Sequence, residues 1–95
     1  MNHVHLIGNV GNVTVHEYEK STLCVANIAV QEGDRINYYR LKARNNSPAF
    51  DKLVELAEHE GDPLDIEGSL VKRSYGEKDN RKHDVYVSPR KIVVG

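Results

Sequence analysis

The sequence has no tryptophan and only one cysteine, one methionine and one phenylalanine among its 95 residues. Each scarcity excludes something. A lone cysteine, Cys24, cannot form an internal disulfide, and its apolar setting Leu23-Cys24-Val25-Ala26 predicts a buried thiol with no redox role. No apolar run approaches the ~20 residues a membrane helix needs. Met1-Asn2-His3-Val4 lacks the basic start and apolar stretch of a signal peptide, so a soluble, cytoplasmic chain with no membrane partner is expected. Catalytic chemistry is equally sparse. There is no Ser-His-Asp arrangement or phosphate loop, and Asp65 and Glu67, alternating with Leu64 and Ile66, read as a solvated strand face. Of the five histidines only His3 and His5 share a strand face, with no third ligand by spacing. Neither an enzyme, a metal site nor a cofactor is expected. The length fits one domain, residues 1–95, with one core.

Net charge is also nearly absent, at −1, but it is segregated along the chain. Residues 35–44 carry +4, residues 49–67 carry −6, and the segment from residue 70 onward carries +4. A fold that joins the two basic segments and turns the acidic one away would present a positive face despite the neutral total.

The first basic segment is the most informative stretch. In Ile36-Asn37-Tyr38-Tyr39-Arg40-Leu41-Lys42-Ala43-Arg44, strand alternation puts Tyr38, Arg40, Lys42 and Arg44 on one face. Tyr39, Leu41 and Ala43 take the other, where they can pack a core or, for Tyr39, an oligomer interface. A ring that stacks bases beside cations that follow phosphates is the chemistry of single-stranded nucleic-acid binding.

Around that strand, periodicity predicts a first strand over about 3–19 bent at bulges near Gly8 and Gly11, a second over 22–31, a turn at Glu32-Gly33-Asp34, and later strands over 63–75 and 82–94. Between strands three and four the spacing predicts a helix with Ser47 as N-cap and Pro48 at its first position. Phe50, Leu53, Val54 and Ala57 would form its buried stripe, and Gly61 and Pro63 would end it. The order β-β-β-α-β-β with long glycine-bent strands is that of an all-β OB-fold, a five-stranded Greek-key barrel with one α-helix between strands 3 and 4.

Motifs spread over nearly the whole chain resemble the bacterial-type single-stranded DNA-binding protein family. They are Asn2-His3-Val4-His5-Leu6-Ile7-Gly8-Asn9-Val10-Gly11, Val25-Ala26-Asn27-Ile28-Ala29-Val30, Tyr38-Tyr39-Arg40-Leu41, Leu53-Val54-Glu55-Leu56-Ala57 and Ile66-Glu67-Gly68-Ser69-Leu70 with Lys72-Arg73-Ser74-Tyr75. Tyr38 and Tyr75 stand where that family commonly has tryptophan. The resemblance implies binding of single-stranded DNA in replication, recombination or repair, possible replication-protein partners, and a homotetramer, with a dimer as alternative, built from dimers paired through the first strand. It implies a short form, because the family's acidic tail has no counterpart before Gly95.

The residues expected to bind nucleic acid are therefore Tyr38, Tyr75 and Tyr86 as rings, and Arg40, Lys42, Arg44, Lys72, Arg73, Lys78, Arg81 and Lys82 as phosphate contacts. Two alternatives remain open from sequence. One is a primosomal accessory protein. The other is an OB-fold that has lost DNA binding and meets protein partners through its acidic helix face.

Overall fold

The computed structural model describes residues 1–95. Its elements are β1 (Val4–Glu17), β2 (Thr22–Glu32), β3 (Arg35–Arg44), α1 (Phe50–Glu55) continued by a 3₁₀ turn (Leu56–Glu58), β4 (Pro63–Tyr75) and β5 (Lys82–Val94). Alternation of side chains decides what goes inside. Cys24, Ala26 and Ile28 of β2, Leu41 and Ala43 of β3, and Leu64 and Ile66 of β4 point inward to one core with Val10, Val87, Leu53 and Leu56. Between β2 and β3 the chain reverses through Gly33 and Asp34, with Gly33 at φ 66°, the positive value that a two-residue hairpin loop of type II′ requires at its first position.

The strands close into a barrel in the order β1-β2-β3-β5-β4. β1 serves two neighbours: Val4 to Asn9 pair with β4, and Asn9 to Glu17 pair with β2. The bulge expected in this strand lies between Val10 and Val13, across Gly11. Gly8 is not bulged; it sits in regular pairing with Leu64 and is needed for close approach of the backbones. A further bulge lies between Glu67 and Gly68 of the β4–β5 pair, where Arg90 is the extra residue.

The helix departs from expectation at both ends. It begins at Phe50, with Ala49 rather than Ser47 at the N-cap. The Phe50 N–H donates to the Ser47 carbonyl at 3.1 Å, so Ser47 and Pro48 belong to a preceding turn. At the other end the 3₁₀ turn places Leu56 three residues after Leu53 on the inner side, leaving Ala57 exposed.

The seam between β3 and β5 is the weak point of closure. It is a parallel contact with Leu41 opposite Val87 as its pairing. Beyond the barrel β4 and β5 continue as a two-stranded hairpin, exposed from Lys72 to His83. That projection accounts for a radius of gyration of 13.8 Å, above the ~12 Å typical of a compact chain this long.

Cys24 is fully buried, and its burial pushes the thiol above its ordinary range. The native protein should stay unreactive toward a disulfide-exchange reagent at mildly alkaline pH, while the urea-unfolded chain reacts completely. Rapid reaction of the native form would mean that β2 detaches readily from the barrel.

Candidate nucleic-acid interface

Four strands build the outer face on which the basic residues were expected. On β3, Tyr38, Arg40, Lys42 and Arg44 point outward, opposite Ala29, Asn27, Val25 and Leu23 of β2. On the hairpin, Val71, Arg73 and Tyr75 of β4 face the same way as their partners Tyr86, Asp84 and Lys82 of β5. The seam sets these two halves side by side. Part of each basic segment thus meets across the seam, Lys42 and Arg44 with Arg73.

Grooves open on either side of the Leu41–Val87 pairing. One, of about 310 Å³, lies between Lys42, Arg44, Asn46 and Ser47 on one bank and Arg73, Asp84, Tyr86 and Ser88 on the other. The second, of about 320 Å³, is more apolar and lies between Tyr38, Tyr39 and Arg40 and the segment Val85–Val87, with Asn27 and Leu70. Tyr86 borders both.

The rings differ in availability. Tyr38 is 68 % exposed and Tyr75 is 56 % exposed, both free to offer a face to a base. Tyr86 is half-buried, and the Lys42 ammonium sits over its ring, 4.8 Å from the centroid. Tyr39 points inward, half-buried, and its hydroxyl donates to the Glu32 carboxylate. That hydrogen bond, with some burial and the Glu32 charge, holds the Tyr39 phenol above its usual range.

The cations differ as well. Arg40 Nη1 lies 3.0 Å from Asp84 Oδ1, and Lys42 Nζ lies 2.5 Å from Asp84 Oδ2. The Asp84 carboxyl is therefore held below its ordinary range. The hydrogen bond from Lys42 is the main cause, opposed by partial desolvation and reinforced by the charges of Lys42 and Arg40. Arg44 donates to the Ser21 hydroxyl at 3.0 Å. Arg44, Arg73, Lys78, Arg81 and Lys82 have no carboxylate partner.

Of the expected contacts, the structure gathers Tyr38, Arg40, Lys42, Arg44, Arg73, Tyr75, Lys82 and Tyr86 on one side. Lys78 and Arg81 sit in the hairpin loop beyond. Lys72 is separated from its neighbour Arg73: it pairs with Val85 on the opposite hairpin face, near the Ser74–His83 contact of 3.1 Å. A strand cannot aim consecutive side chains the same way. Sequence reasoning missed Asp84, Asn27 and Ser88. Asp84 alternates with Tyr86, so registering β5 against β3 would have exposed it.

The acidic stretch lies towards the other end of β4. Asp65 and Glu67 lie outward on β4, against His5 of β1 at 2.7 Å and His3, just before β1, at 3.4 Å. Asp62 meets His59 at 3.0 Å.

A closed five-stranded barrel whose helix bridges the third and fourth strands is an OB-fold. Solved structures share it. The crystal structure of the mitochondrial single-stranded DNA-binding protein Rim1 from S. cerevisiae aligns with a TM-score of 0.72 at 17 % identity, covering 97 % of this chain and 92 % of that one. No protein-family model and no curated protein matches the sequence.

Proposed function

We propose that this protein binds single-stranded DNA with little sequence preference and shields it during replication, recombination or repair. Bases stack on Tyr38 and Tyr75 while Arg44, Arg73, Lys82 and the hairpin cations follow the phosphates. The observation that carries this reading is the outward face of β3 and the β4–β5 hairpin, where exposed Tyr38 shares a strand face with Arg40 and Lys42 at the barrel seam and exposed Tyr75 shares one with Arg73 on the hairpin beyond it. A protein of the same fold, Rim1, binds single-stranded DNA, which supports the assignment. No group on this face needs to donate a proton or attack a bond.

The surface is small, so several protomers sharing one strand would raise affinity through effective concentration. We assign a homotetramer, with β1 as the pairing strand. Its outer side shows Ile7, 65 % exposed, in one row with Asp65 and with Val93, itself 50 % exposed. Light scattering should give a mass above that of the monomer.

The deciding experiment is titration of a fluorescent oligo-dT of a few tens of nucleotides, and of a matched duplex, at several salt concentrations. Binding to the single strand alone is expected, with a log–log salt slope of about −3 to −4 if four to six phosphates are engaged. Absence of binding at low salt would refute the proposal and favour the reading in which the fold serves protein partners.

A further inference from the structure

Resting on the single-strand reading above, we infer that Arg40 and Lys42 form a seat for one phosphodiester group, and that the Asp84 carboxylate occupies this seat until DNA displaces it. The chemistry of the occupant makes the case. Asp84 presents two oxygens and one negative charge, and each oxygen takes a charge-assisted hydrogen bond from a different cation, at 3.0 Å from Arg40 and 2.5 Å from Lys42. A phosphodiester offers the same charge and the same pair of equivalent oxygens. The seat lies between the two grooves, on the face where Tyr38 and Arg73 stand exposed.

The ion pair is also built to be exchangeable. The Arg40 side chain is 51 % exposed, and such solvent-screened pairs contribute little stability. Lys42 is held more closely, 19 % exposed, and while Asp84 grips it the ammonium covers the Tyr86 ring. Exchange of carboxylate for phosphate therefore keeps Lys42 at the seat and over the Tyr86 ring, which stays covered in the bound state. It also explains how a basic face coexists with a resident acid at its centre. Asp84 lowers affinity by competing for the same two cations, and it makes release of the strand easier.

The test compares oligo-dT affinity across salt for the full chain and four variants: Asp84→Asn, Asp79→Asn, Arg40→Gln/Lys42→Gln, and the last combined with Asp84→Asn. Asp79, in the hairpin loop, has no ion pair and controls for the bare change of one charge. Expected for Asp84→Asn is binding about tenfold tighter at low salt, with a slope steeper by about one as two more cations release counterions. Asp79→Asn should gain less than about threefold. In the Arg40→Gln/Lys42→Gln background the Asp84 effect should shrink to that of Asp79. Asp84→Ser repeats the comparison if Asp84→Asn melts below the assay temperature. If the unaltered chain binds but Asp84→Asn binds no tighter than Asp79→Asn, the competing seat is refuted and the single-strand reading stands. If none of the proteins binds, both fall. Binding only on loss of Asp84 would mean that DNA cannot take the seat from the carboxylate, and would refute both.

Discussion

Replacing Tyr38 with alanine should weaken oligo-dT binding by ~1–3 kcal/mol, roughly 5- to 150-fold in Kd, and leave the melting temperature almost unchanged. Both halves follow from where the ring sits. It is 68 % exposed on the outer face of β3, away from the core built on Leu41 and Ala43, so truncation opens no cavity. What is lost is a flat apolar face beside Arg40, at the edge of the apolar groove. Phenylalanine should retain most of the affinity, because stacking needs the ring and not the hydroxyl. Tyr86→Ala should cost less than Tyr38→Ala at low salt, since its ring is already covered by Lys42. Equal affinities for Tyr38→Ala and the parent protein would exclude stacking on β3 and move the binding surface elsewhere.

The parts of this protein legible in sequence are those that local alternation determines. β4 and β5 begin and end where the period-two pattern begins and ends, and Tyr38, Arg40 and Lys42 share a face because they are two residues apart. The OB-fold order followed from counting such segments around one helix. The failures lie where a non-local pairing decides. Lys72 and Arg73 looked like one cluster, yet the β4–β5 register sends them to opposite faces. Asp84 looked like one of three acids outweighed by seven bases from residue 70 onward, and only the parallel seam at Leu41 and Val87 brings it onto Arg40 and Lys42. The helix start was missed for a different reason. Ser47 and Pro48 are good starting residues, but the turn closed by Phe50 and Ser47 uses them first.

Gly8→Ala should be among the most damaging single methyls in the protein, costing about 3 kcal/mol and lowering the melting temperature by about 12 °C or more. A β-carbon there would lie 2.1 Å from the Ala29 carbonyl oxygen, 2.9 Å from its carbon and 3.2 Å from Ile28 Cγ1. No side-chain rotation relieves a clash with backbone. Nor can β1 retreat, because Gly8 pairs with Leu64 of β4 while the next residue, Asn9, pairs with Ala29 of β2. Gly33→Ala provides the contrast. Nothing lies within 4 Å of its added carbon, so only the positive φ is strained, at ~1–2 kcal/mol. Thermal unfolding followed by circular dichroism should rank them in that order, and a Gly8→Ala loss smaller than that of Gly33→Ala would mean that β1 and β2 separate easily. The same clash reaches the binding face. Ala29 pairs with Tyr38 across β2 and β3, so any shift of β2 that accommodates the methyl moves the strand carrying the exposed ring. A Gly8→Ala protein that remains folded in the cold should therefore also bind oligo-dT more weakly, although residue 8 lies outside both grooves.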